Sequence, residues 1–283
     1  MKAPAFITAL LCLGAVVCEA TVLLHQDFSS YPSGSIHGRT VTGPNVSGTW
    51  TATNDSYGTF SPDGGILSFT RTQTTSSTAV SKYAQFSVAA TTDSTALHQE
   101  FWAMATISTD TLQAAFVSIP LHRDSGAAGQ RIIFGIDSGK AFLATGASGA
   151  TLSAQALSTT TPGTAGHTLL VRMAQGANTN DDIYHLWIDP DLGAEQDALG
   201  APDVQITGQN FVWNGGSSLG SNTITANVSL GIITTQNATQ PQGGSFSDIR
   251  VATTFESILV PEPGTTLLLV PGLALVCRRR RAV

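Results

Sequence analysis

An all-β fold, two antiparallel sheets packed face to face, is what this sequence predicts. Short segments rich in β-branched and aromatic residues recur along the chain, each bounded by Gly, Pro, Asn, Asp or Ser. No stretch of the body holds a helical period over three turns, and no crossover helices separate the segments. Strands without crossovers form antiparallel sheets, and two such sheets bury their apolar faces against each other. A chain of 283 residues could hold one large all-β domain or two ordinary ones. Strands of one style run throughout, so one domain over residues 21–258 is the simpler reading.

The first 20 residues read as a secretory signal peptide. Lys2 supplies the positive start, Ala5 to Val17 the apolar run, and Cys18-Glu19-Ala20 ends in a small residue before a cut near Thr21. A buried first helix is the alternative. Acylation at Cys18 fits less well, because bulky Val17 stands where a small residue is expected.

Along the body the expected strands are Ile66–Arg71, Glu100–Ser108, Leu112–Leu121, Arg131–Asp137, His167–Met173, Asp182–Asp189, Asn227–Ile233 and Ser245–Ala252. In the sixth, Tyr184, Leu186 and Ile188 share one face, and Ile183, His185 and Trp187 share the other. One face is then fully apolar, while the other mixes a ring donor with apolar bulk. The Thr/Ser/Ala/Gly-rich stretch from Ala144 to Gly166 reads as a long surface loop or as weak strands.

The three cysteines, Cys12, Cys18 and Cys277, all lie in the terminal segments. The body therefore has no intramolecular disulfide, thiolate metal site or cysteine nucleophile. It carries eight Lys and Arg against seventeen Asp and Glu, a net charge of −9. Scattered single basic residues in an acidic chain lack the footprint for a phosphate backbone, so nucleic acid is excluded as a partner.

The chain ends VPEPGTTLLLVPGLALVCRRRR and two more residues. From Gly264 to Cys277 a helix would rise about 21 Å, short of the ~30 Å hydrocarbon core, and Pro271 interrupts it. It suits a transient stop better than a permanent anchor, with Arg278, Arg279, Arg280 and Arg281 resisting translocation. Pro261 and Pro263 hold the preceding segment extended, as a processing enzyme requires. Residues 259–283 resemble the PEP-CTERM sorting signal of Gram-negative bacteria that make exopolysaccharide. Pro261, Glu262, Pro263 and Arg278 to Arg281 match its tripeptide and arginine cluster in order, around a short hydrophobic sorting helix. The resemblance implies transient contact with the inner membrane, recognition by an exosortase, removal of the tail, and delivery to the cell surface or extracellular matrix. An unprocessed membrane-surface anchor is the alternative.

The body is similar to the concanavalin A-like, laminin G-like jelly rolls. The likeness lies in LLHQDFSSYPSGSI at the opening, Gly48-Thr49-Trp50, DIYHLWIDPDLGAEQDALG in the second half, and the closing strand Phe246 to Val251. It implies that the first strand pairs near the last, and that exopolysaccharide is a partner to test.

Glucanases of that fold place their carboxylates on one strand face as Glu-x-Asp-x-Glu. The body's glutamates, Glu100, Glu195 and Glu256, form no such pattern, and no Gly-x-Ser-x-Gly elbow occurs. The six histidines, His25, His37, His98, His122, His167 and His185, are dispersed without metal-ligand spacing. No catalytic residue is assigned. Calcium is a candidate ligand of Asp181 and Asp182 before the sixth strand and of Asp189, Asp191 and Asp197 after it, although Asp-Pro-Asp also makes a turn with no metal. Trp213, beside Asn210 and Asn214, is the candidate glycan platform, since Trp50, Trp102 and Trp187 sit inside apolar strand patterns. A lectin-like module and a purely structural surface module both remain open, with a glycan-active enzyme third.

Overall fold

The computed structural model describes residues 22–42, 48–52, 58–71, 80–91, 100–109, 113–120, 131–148, 151–163, 165–174, 181–209, 223–234 and 243–259. The signal peptide, the sorting segment from Val260 onward, and Asn210, Trp213 and Asn214 lie outside these residues.

Two sheets form the body, and every strand pairing among the described residues is antiparallel. In chain order the strands are β1 (Val22–Gln26), β2 (Thr51–Ala52), β3 (Gly58–Asp63), β4 (Ile66–Arg71), β5 (Val80–Thr91), β6 (Glu100–Thr109), β7 (Gln113–Pro120) and β8 (Arg131–Asp137). Then come β9 (Lys140–Ser148), β10 (Thr151–Leu157), β11 (His167–Ala174), β12 (Asp182–Ile188), β13 (Val204–Gln209), β14 (Thr223–Thr234) and β15 (Gly243–Ala252), and a five-residue helix, α1 (Phe255–Leu259). One sheet runs β13-β12-β11-β6-β15-β4-β3, with β1 also on β15; the other runs β10-β9-β8-β7-β14-β5-β2.

All eight expected segments are strands, and Ile66–Arg71 and Arg131–Asp137 have the expected ends. The weakly patterned Ala144–Gly166 stretch resolves in favour of strands, since it supplies the end of β9 and all of β10. One edge of β15 faces β6, which pairs with Gly244–Ser247 and, after a register shift, with Arg250–Ala252. Its other edge is shared: Gly243–Phe246 pairs with β4, and Ile249–Ala252 pairs with β1. First and last strands therefore meet, as the jelly-roll likeness implied.

Alternation along each strand builds the core. Phe101, Ala103, Ala105 and Ile107 of β6, Leu169, Val171 and Met173 of β11, and Tyr184 and Leu186 of β12 point between the sheets. Ile132, Phe134 and Ile136 of β8 meet them from the other side. Gly135, opposite Phe116 on β7, is required by crowding, because a Cβ there would run into the Ala115 carbonyl oxygen and the Phe116 backbone.

The outer face of the eight-stranded sheet carries a second apolar cluster: Trp102, Met104, Leu170, Trp187, Ala252, Phe255 and Ile258. Of the tryptophans expected in the core, only Trp50 lies between the sheets; Trp102 and Trp187 are buried on this outer face. What covers them is α1 and the loop after β12, whose Leu192 and Leu199 pack on the cluster.

Candidate functional site

The lid over the Trp102–Trp187 pair is built from short local devices. Asp189 ends β12 in a left-handed conformation (φ 48°), which Asp tolerates better than most residues. Its side chain accepts from the Thr168 backbone N–H at 2.8 Å and from His167 Nδ1 at 2.6 Å. Asp191 Oδ1 accepts from the Gly193 N–H at 2.9 Å, closing an Asx turn. Asp203 returns the loop to β12 by accepting from the Ile188 N–H at 2.8 Å. Between these, Gln196–Ala198 makes one 3₁₀ turn.

Helix α1 is capped by Thr254, whose hydroxyl accepts from the Ser257 N–H at 3.2 Å. At its other end Arg250 Nη1 donates to the Ile258 carbonyl at 2.9 Å. Phe255 and Ile258 face inward and Glu256 faces solvent. Beneath the helix, Phe255 meets Trp102 at 5.1 Å between ring centroids, and Trp102 stacks on Trp187 at 5.9 Å and 18°.

The 3₁₀ turn and α1 leave an open cleft of about 490 Å³ between them. Its lining is Ala194, Glu195, Gln196, Asp197, Phe255, Glu256 and Leu259. Apolar groups from the cluster below form part of the floor, and three exposed carboxylates with one amide form the rim. The volume falls within the range of small-ligand sites.

Beside the lid, the same sheet face holds a polar row. Arg172 Nε donates to Glu100 Oε1 at 2.5 Å, and its guanidinium lies 5.7 Å from the Trp102 ring centroid. His185, paired across the strands with Arg172, stands edge-on to Trp187 at 5.4 Å. Burial, and then the Arg172 charge, hold the His185 imidazole below its ordinary value. On the core side of the same strand, burial and then the charge of Asp182 push the Tyr184 hydroxyl well above its ordinary value.

The five aspartates considered for calcium do not converge, and Asp197 faces the cleft. Asp181 and Asp182 stand at the start of β12, while Asp189 and Asp191 follow its end, about 20 Å away at strand rise. One ion cannot take ligands from both pairs, and Asp189 and Asp191 already serve the local turn. Among the described residues no three His, Cys, Asp or Glu side chains converge on a metal position. Of the glutamates, Glu100 of β6 is bound to Arg172 of β11, whereas Glu195 and Glu256 reach the cleft from a loop and a helix. A search for carboxylates on one strand passes over the cleft carboxylates Glu195, Asp197 and Glu256; the signal present was the spacing of Glu195 and Asp197 two residues apart in the loop after β12.

The class that this topology defines is an all-β, antiparallel two-sheet sandwich with a helical lid on one outer face. No family model matches the sequence, and no curated protein matches it. Among solved structures the chain is similar to the β-glucanase of Bacillus licheniformis, at 8% identity over 81% of this chain and 96% of that chain, with a TM-score of 0.48. It is also similar to the CBM2 module of the evolved Dit protein of Lactobacillus casei BL23 phage J-1 (12%, 82% and 95%, TM-score 0.46). A third is the carbohydrate recognition domain of Emp47p (11%, 80% and 96%, TM-score 0.41).

Proposed function

We propose that the protein is exported, sorted to the cell surface or extracellular matrix by an exosortase acting on its Pro261-Glu262-Pro263 segment, and binds glycan there without cleaving it. The observation that carries the binding role is the open cleft between the 3₁₀ turn and α1. Glu195, Asp197, Glu256 and Gln196 offer acceptors to sugar hydroxyls around a partly apolar floor, the usual composition of such a site. The concanavalin A-like order of the body supports the same reading.

The non-catalytic part rests on geometry. Glycosidase carboxylates face each other from rigid positions, one of them in surroundings that keep it protonated. Here Glu195 and Glu256 are exposed, and the Glu100 carboxylate is occupied by Arg172.

A structural surface module is the second reading. It is favoured by the burial of Trp50, Trp102 and Trp187, which leaves no exposed tryptophan platform among the described residues.

Electrophoresis through gels containing the host's exopolysaccharide tests the binding role. Retardation that persists in chelator is expected, and unchanged mobility in every gel would favour the structural module. Export is checked by fractionation and mass measurement. Surface material lacking Arg278 to Arg281 is expected, and intact chain confined to the cytoplasm would overturn it.

A further inference from the structure

We infer that helix α1 regulates removal of the C-terminal tail: while α1 is docked on Trp102, Pro261-Glu262-Pro263 lies too close to the body to enter a processing enzyme. The tail is removed only from the state in which α1 has undocked. This rests on the sorting reading above and adds its control.

Three observations carry it. First, α1 ends at Leu259, two residues before Pro261. At about 3.5 Å per residue, Pro261 stands within about 7 Å of Leu259 and Pro263 within about 14 Å. Second, the body holds the stem along its length. Phe255, Ser257 and Ile258 are buried, Leu259 packs on the Trp102 cluster, and Arg250 Nη1 donates to the Ile258 carbonyl at 2.9 Å. While docked, the residues before the tripeptide are therefore not free to lie extended in another protein's groove. Third, α1 has only five residues, too few to persist as a helix in water, so packing maintains it and leaving its seat unwinds it. As a helix it spans about 7.5 Å, and extended it reaches about 17 Å. Undocking thus adds roughly 10 Å of reach. Cleavage of a locally opened segment follows the population of the open form, so the packing of α1 sets the rate.

The test follows tail removal over time in the producing cells, by mass, after a pulse of synthesis. The full chain is compared with Phe255→Ala, with a chain carrying a Gly-Ser spacer of about ten residues between Leu259 and Val260, and with the two changes combined. The spacer supplies reach and leaves the contacts of α1 in place, whereas Phe255→Ala empties its seat. Each single change is expected to speed tail removal about tenfold. The combination is expected to be no faster than either, because both relieve one restraint. Should Phe255→Ala fail to fold, Ile258→Ala takes its place. Equal rates in the native and lengthened chains would overturn the inference while leaving the sorting reading intact. A full further gain from Phe255→Ala in the lengthened chain would also overturn it, since α1 would then act otherwise than through reach. A tail retained by every chain would remove both this inference and the reading beneath it.

Discussion

His25 and Asp248, 223 residues apart in the chain, meet where the first strand joins the last: His25 Nε2 donates to Asp248 Oδ1 at 3.1 Å. Arg250 donates to the same carboxylate through Nε at 2.6 Å and Nη2 at 2.9 Å. The site falls where the β15 register shifts between Ser247 and Arg250, and Asp248 sits there at φ 48°. One carboxylate thus fixes an irregular backbone position, orients the arginine that holds α1, and ties β1 to the sheet.

Asp248→Ala should cost about 2–3 kcal/mol in urea unfolding, since it removes charged hydrogen bonds and places a β-carbon residue without local side-chain support at positive φ. Asp248→Asn tolerates that backbone conformation and should cost less. Equal midpoints for Asp248→Ala and the native chain would show that the clasp is dispensable.

Acid should loosen the same clasp. Burial opposes the Asp248 charge, but hydrogen bonds from His25 and Arg250, together with their charges, outweigh it and hold the carboxyl below its ordinary value. Its contribution is therefore complete above the unfolded value near about pH 3.9 and is lost as pH falls through the lower folded value. Urea midpoints measured down through that window should fall less steeply in Asp248→Asn than in the native chain.

His185 predicts a second, milder pH effect. Its folded value is lowered, so the unfolded chain takes up the proton first, and stability declines as pH drops below about 6.5. Comparing midpoints at about pH 7.5 and about pH 5.5, His185→Gln should show a smaller decline than the native chain.

Phe255→Ala should destabilise the protein by about 3–4 kcal/mol, because a ring that is 1% exposed leaves a void against Trp102. Tryptophan emission should shift to the red as water reaches the stacked pair. An unshifted spectrum would mean that α1 is not what shields it.

Gly135→Ala should impair folding outright, or cost several kcal/mol if the chain folds. The added carbon collides with backbone of β7, which cannot move without breaking its ladder with β14. A midpoint within error of the native value would contradict the close approach of β7 and β8.

Legibility in the sequence followed the strength of the alternation. Segments such as Arg131–Asp137, with Ile132, Phe134 and Ile136 on the core side, announce themselves, because burial of one face requires the pattern. The edge strands β10, TLSAQAL, and β13, VQITGQ, carry small and polar residues at an edge, where less needs burying; the first was legible only as a loop or weak strand, and the second gave no strand signal. The outer-face burial of Trp102 and Trp187 was hidden for another reason. A strand's period tells which residues share a face, but not that a loop and α1 return to cover the outer one. The cleft is further from view still, since Asp197 and Glu256 come together only through that lid.

The pairing of Val22 with Ala252 puts the first and last residues of the body's ladder side by side. Tension applied between the protein's two ends would therefore load the β1–β15 hydrogen bonds in turn, opening them like a zipper instead of shearing them together. A load entering at the cleft and leaving through the C-terminal side would bypass that seam, because α1 borders the cleft and is tied through Arg250 to β15 in the middle of its sheet.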